Sequence, residues 1–238
     1  MGQKKLIRFE AIKTFNNVLE YPQDMKGKWH EFFGNQHTIT LELACGKGEY
    51  SVGLGRMYPD RNFIGIDIKG NRIWRGARTA LDEGLKNVGF LRSHIDKITD
   101  YFEPGEVSEI WITFPDPQLR TSRMKKRLTH PRFLRLYQQV LASGGAVNLK
   151  TDSPDLYTFT KKVIELYGLE VLADDDNIYA RGPVHPELAI KTHYEGLDIA
   201  GSNRVHHLKF RLGTELPLNK DEILKQFYMD QEKGEAEL

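Results

Sequence analysis

The chain has 238 residues, 39% of them hydrophobic and 28% charged, with a formal net charge of +1; this suffices to bury one sizeable core and no more. Its apolar runs are too short to cross a bilayer and its start lacks the regions of a secretory signal, so the expectation is a cytoplasmic protein with no membrane partner. Cys45 is the single cysteine, which excludes an intramolecular disulfide and a thiolate zinc cluster.

Residues 1–35 read as an N-terminal arm rather than a second domain. From about residue 38, short β-branched or aromatic runs alternate with longer stretches of helical periodicity, the pattern of a parallel sheet covered by helices. Strands are expected near 38–43, 62–67, 88–93, 108–114 and 145–150, with crossover helices at 49–58, 70–84, 131–142 and 154–167. Two further runs, 169–172 and 205–212, flank a long polar loop and suggest a closing antiparallel pair. The expected fold is therefore α/β: a seven-stranded, mostly parallel sheet with helices on both faces, spanning 36–213. Residues 214–238 form an acidic tail with Asp221, Glu222, Asp230, Glu232, Glu235 and Glu237. Within it Ile223, Leu224, Phe227 and Tyr228 have helical spacing, suited to docking on this domain or on another subunit. A monomer and a homodimer are both open.

The first strand runs into Glu42-Leu43-Ala44-Cys45-Gly46-Lys47-Gly48 and then a helix. Glycines at 46 and 48 let a ligand approach the backbone at the helix start. A dinucleotide fingerprint would need a third glycine where Ser51 stands. An acid ahead of the turn instead resembles the E-x-G-x-G-x-G motif of class I methyltransferases, which hold S-adenosylmethionine. Ala44 replaces the first glycine of that motif, which requires only that this position avoid a positive φ. Asp67 ends the second strand, where a carboxylate can accept ribose hydroxyls or cap the next helix. Asp96 follows the third strand and suits either the adenine amine or the cap of the short segment after it.

The fourth strand ends in Phe114-Pro115-Asp116-Pro117. Two prolines flanking an acid restrict its backbone, so Asp116 is expected extended and immobile at the sheet edge. Arg120, Arg123, Lys125, Lys126 and Arg127 follow within eight positions. Such a run suits phosphate contacts beside an acceptor site, with Arg132 and Arg135 extending the track.

Together these motifs resemble the tRNA guanine-N7 methyltransferase family, whose hallmark is a Phe-x-Asp-Pro turn followed by a Lys/Arg-rich segment. The resemblance covers most of the chain, including Lys150-Thr151-Asp152 and Thr192-His193-Tyr194-Glu195. It implies a Rossmann-like class I methyltransferase domain that uses S-adenosylmethionine to methylate a variable-loop guanine of tRNA. Glu42, Gly46, Gly48, Asp67, Asp96 and Asp116 would lie on the cofactor side, with Asp116 also the catalytic residue. Arg120, Asp152, Thr192, His193, Tyr194 and Glu195 would contact substrate, joined by Arg123, Lys125, Lys126 and Arg127. Gln118 stands where the family commonly has Trp, and Met124 where it often has His. Arg120 takes a position usually held by Lys.

Guanine N7 carries an in-plane lone pair on a neutral base, so no general base is needed and Asp116 is expected to position and to stabilise charge. The rival readings are an exocyclic-amino RNA methyltransferase, disfavoured because Gln118 follows Pro117, a non-catalytic RNA-binding protein, and a nicotinamide oxidoreductase. The histidines form no metal pattern, and no metal is expected.

Overall fold

The computed structural model describes residues 3–180, 182–197, 199–213 and 215–236. Glu237 of the acidic tail lies outside them, as does the side chain of Glu235. In chain order the regular elements are α1 (Gln3–Ile12), β1 (Val18–Glu20), α2 (Trp29–Phe33), β2 (Ile39–Leu43), α3 (Glu49–Met57), β3 (Asn62–Asp67), α4 (Gly70–Asp82), β4 (Val88–Arg92), β5 (Val107–Thr113), α5 (Pro131–Val140), β6 (Leu141–Thr151), α6 (Pro154–Tyr167), β7 (Glu170–Asp175), α7 (Pro186–Ala189), β8 (His206–Arg211) and α8 (Asn219–Ala236). Three 3₁₀ turns interleave, at Ile95–Asp100, Thr121–Lys126 and Glu195–Leu197.

One sheet runs β1-β4-β3-β2-β5-β6-β8-β7, with β8 antiparallel to both β6 and β7 and the other pairings parallel. This is the expected class I methyltransferase architecture with eight strands in place of seven. The additional strand is β1, whose Val18 pairs with Phe90. Three residues are too few to show a period, so the arm gave no strand signal. That arm packs on the sheet domain: Ile12 and Trp29 are buried, and Trp29 Nε1 donates to the Tyr101 carbonyl at 2.9 Å.

Central strands β2 and β3 are buried along their whole length, so Thr40 and Glu42, which interrupt the apolar residues of β2, also lie inside. Alternation then divides the core between the two faces. Ile110 and Ile112 join a cluster with α5, α6 and Leu224 of α8; Trp111 between them joins the cluster under α3 and α4. Boundaries follow local chemistry. α5 and α6 each begin with a proline, behind the N-caps His130 and Ser153, whose side chains accept backbone N–H groups of the first turn. α8 docks on its own domain through the buried Leu224 and through Asp221, which takes Arg135 and Tyr167.

Sheet order reverses between β2 and β5, and ligands of open α/β sheets bind outside the carboxyl ends of the strands at such a point. Register brings those ends level: Leu43 pairs with Ile66 and with Ile112, and Thr113 with Lys150. The segments after residues 43, 66, 113 and 151 therefore meet at one edge.

Candidate active site

A cleft of about 710 Å³ opens at that edge, within the range of small-molecule sites. Ala44, Gly46 and Asp67 line one side, Phe114 to Pro117 the opposite side, and Asp152, Thr192 and Tyr194 complete the walls.

The turn after β2 carries left-handed backbone at alternate residues, with φ of 54° at Ala44, 56° at Gly46 and 69° at Gly48. The expectation for Ala44 is thus overturned: it adopts the positive φ of the glycine it replaces, at a cost of about 1–2 kcal/mol. Glycine at 48 is obligatory on two counts, since a Cβ there would also lie 2.4 Å from the Phe90 ring. Cys45 is buried between them, and burial pushes its thiol pKa up, leaving it inert.

Asp67 is 8% exposed and lines the cleft. One carboxylate oxygen accepts from Gly46 N at 2.9 Å and the other from Lys69 N at 2.8 Å. Each oxygen keeps a second lone pair, so the residue holds the turn in place and can still accept the two hydroxyls of a ribose. That acceptor chemistry fits the ribose of S-adenosylmethionine. The bond to Lys69 is a turn bond at the strand end, and the N-cap position of α4 belongs to Lys69.

Glu42 lies beneath the turn, 2% exposed. It accepts from Ser51 N at 2.8 Å, from Ser51 Oγ at 2.6 Å and from Thr113 Oγ1 at 3.3 Å. It does not line the cleft wall, and its carboxylate ties α3 to β2 and β5. Ser51, which broke the dinucleotide fingerprint, is its partner. Burial raises the Glu42 pKa to about 7, against the lowering effect of the Ser51 bonds. Asp96 sits on the 3₁₀ turn beyond β4, pairs with Arg132 at 3.4 Å and does not line the cleft.

On the acceptor side, Phe114 has φ of 46° and Gln118 of 48°. The Phe114 N–H donates to the Lys150 carbonyl at 2.8 Å. Asp116 is exposed in the cleft, with Oδ1 accepting from Gln118 N at 3.0 Å. The loop is thus fixed by an Asx turn and two left-handed residues as well as by its prolines. Arg127 completes the fixation. Its guanidinium, 4% exposed, donates to the carbonyls of Pro117, Gln118 and Leu119 and lies over the Phe159 ring at 4.5 Å. A phosphate-binding role was expected for Arg127; burial removes it from solvent and commits its donors to the loop. Arg135 is likewise taken by Asp221 and the Leu216 carbonyl, and Arg132 by Asp96. Arg120, Arg123, Lys125 and Lys126 remain exposed, with no ion-pair partner among the described residues. Met124 anchors their 3₁₀ turn in the core.

Lys150 is fully buried, and its ammonium donates to the Leu188 and Ile190 carbonyls and to Glu195 Oε2 at 2.8, 3.0 and 2.8 Å. Desolvation lowers its pKa, and Glu195 opposes that shift. Glu195 also accepts from the Tyr179 hydroxyl, so its carboxylate ties the loop to β6. The tether sets Thr192 and Tyr194 on the cleft wall, while exposed His193 turns toward the groove alongside. Tyr194 reaches the Gly46 turn and lies under Arg72, 5.6 Å from its ring. Arg72, Leu119 and Ile199 also line the cleft; none stands in a motif, and only the fold brings them there. Among the described residues no group of three or more His, Cys, Asp or Glu side chains is disposed to hold a metal ion, and no helix is long and apolar enough to cross a membrane.

A family model described as "Putative methyltransferase" matches residues 36–207. A tRNA (guanine-N(7)-)-methyltransferase of Porphyromonas gingivalis is 49% identical over 214 residues, covering 85% of this chain and 87% of that protein. The Bacteroides thetaiotaomicron protein of the same name is 46% identical, covering 94% and 91%. The chain belongs to the tRNA (guanine-N(7)-)-methyltransferase family. Among solved structures, a variant 16S rRNA (adenine(1408)-N(1))-methyltransferase from Catenulisporales acidiphilia with cosubstrate SAM superposes with a TM-score of 0.55. At 14% identity, covering 80% of this chain and 93% of that one, it shares the fold alone. As a member of this family the chain is an S-adenosylmethionine-dependent methyltransferase, and the nicotinamide reading falls away.

Proposed function

We propose that the cleft at the β2/β5 switch point is where this chain methylates N7 of a guanine in tRNA, the target lying in the variable loop. The observation that supports this most is the opposition of carboxylates across one cleft. Asp67, with spare acceptor capacity, faces it from β3, and Asp116 and Asp152 face it from β5 and β6. Asp67 would hold the cofactor ribose, with Gly46 and Ala44 giving close approach to the backbone.

S-adenosylmethionine supplies a methyl group on a sulfonium cation. Guanine N7 presents its lone pair without losing a proton, so the residues here position rather than deprotonate. Asp116 and Asp152 would accept hydrogen bonds from guanine N1–H and the N2 amine, groups arranged differently in adenine. Forming the N7–methyl bond would break the methyl–sulfur bond and release S-adenosylhomocysteine, so positive charge would pass from sulfur to the imidazole ring, and the fixed carboxylate of Asp116 would favour that distribution. Arg120, Arg123, Lys125 and Lys126 would hold phosphates around the target. Four such contacts give a slope of log affinity against log salt of roughly −3 to −4.

The test pairs Asp67→Ala with Asp116→Ala. Calorimetry should show loss of S-adenosylmethionine binding in the first and near-normal binding in the second. Transfer to unmodified tRNA should fall by about 10²-fold or more in D116A. Wild-type turnover in D116A would remove Asp116 from the reaction.

A further inference from the structure

A second groove, of about 700 Å³, lies beside the cleft between α3, α4 and the loop after α7. Its floor is apolar. Val52, Gly53, Gly76 and Ile190 form it, and Ile190 seats on α3 because residue 53 is glycine: a Cβ there would lie 2.9 Å from the Ile190 side chain. Its rim is cationic, with Lys47 from the cofactor turn, Arg75 from α4, and Lys191 with His193 from the loop. Glu49 is the groove's one acid among the described residues.

Arg56 of α3 also lines the groove but is neutralised by Glu83, and Arg78 of α4, outside the lining, is neutralised by Asp82. Lys47, Arg75 and Lys191 have no ion-pair partner among the described residues. Three cations from three separate elements thus converge unpaired, with Glu49 the one acid beside them among the described residues, above an apolar floor suited to sugar faces. Glu49 and Thr192 line both this groove and the cleft, so the two adjoin.

We propose that this groove is a second RNA-backbone track, in which Lys47, Arg75 and Lys191 hold phosphates of the same tRNA whose guanine enters the cleft. The proposal rests on the reading of the cleft as the methylation site. The RNA would then be gripped from two sides, by Arg120 to Lys126 beyond β5 and by this rim beyond β2. The two grips fix the direction in which the strand crosses the acceptor site, which a single basic loop does not.

The experiment measures tRNA affinity by filter binding at several salt concentrations, for the intact chain and for Lys47→Ala/Arg75→Ala/Lys191→Ala. With three phosphate contacts removed, Kd near physiological salt should rise by about ten- to a hundredfold, and the salt slope should shrink by roughly 2 to 3. An unchanged melting temperature certifies the fold of the variant. Should the triple variant fail to fold, Arg75→Glu at an exposed position carries the test, with a several-fold weakening and a reduced slope expected. Arg78→Ala, on the same helix but paired, should leave Kd and slope unchanged. A triple variant with the intact chain's Kd and slope overturns the groove proposal, as does equal loss in R78A. RNA affinity is read independently of methyl transfer. A chain that binds tRNA through the groove yet never methylates it would count against the cleft reading and not against this one.

Discussion

The guanidinium of Arg127 donates to the carbonyl oxygen of Gln118 from both Nε, at 3.3 Å, and Nη2, at 3.2 Å. Through this bond, and those to Pro117 and Leu119, a buried member of the basic run sets the shape of the loop that carries Asp116. Lysine has the charge but lacks the planar fork that reaches three successive carbonyls. Arg127→Lys should therefore loosen the loop, lowering turnover on tRNA by about tenfold while cofactor affinity stays within about twofold. Parallel calorimetry and methyl-transfer assays read both; equal losses in the two would show a general folding defect instead.

Ala44 holds a left-handed backbone without being glycine. Relief of that strain in Ala44→Gly outweighs the entropy glycine adds to the unfolded chain, for a net gain of about 1 kcal/mol. For a chain of this size that corresponds to about 2–4 °C in Tm, measurable by calorimetric scanning. A lower Tm would show that the Ala44 methyl contributes packing worth more than the strain.

Glu42 couples stability to pH. Its folded pKa, about 7, lies above the ordinary carboxyl value of 4.5, with burial the main cause. The folded state therefore binds the proton more tightly, and this group's contribution is full below about pH 4.5, declines as pH rises, and is gone above about pH 7. The buried His130 and His207, both lowered to about 4 by desolvation, act in the opposite direction, their contribution being lost as pH falls below 6.5. Comparison with Glu42→Gln isolates the carboxyl. The stability of the intact chain relative to E42Q should fall by about 3 kcal/mol between pH 4.5 and 7.5, read from denaturant midpoints. A difference independent of pH would mean that Glu42 is ionised throughout.

The fold was legible wherever burial imposes a pattern. The centres of β3, Phe63 to Ile66, and of β5, Ile110 to Ile112, are covered on both faces and read as short apolar runs, and α5 carries its apolar stripe at Phe133, Leu134 and Tyr137. The three-residue β1 shows no such pattern, because a period needs more residues than that edge strand has. Acids at strand ends were legible as well, since the sheet register aligns Asp67, Asp116 and Asp152 on one cleft. What one dimension hides is the direction of a side chain. Nothing in the run Arg123 to Arg127 distinguishes the arginine that turns into the core from the cations beside it, and the difference depends on Phe159 and Tyr228, distant in sequence. In the same way Glu195 reads as a surface acid until Lys150, buried on β6, becomes its partner.

Methylation of guanine at N7 in the cleft is read from the chemistry of the product. The protein is incubated with labelled S-adenosylmethionine and unmodified tRNA, and the RNA is treated with borohydride and then aniline. N7-methylguanosine is cationic and opens under this treatment, so the account predicts incorporated label together with strand cleavage at a guanine, both lost in D116A. Incorporation of label without cleavage would contradict it, because an exocyclic-amino product survives the treatment.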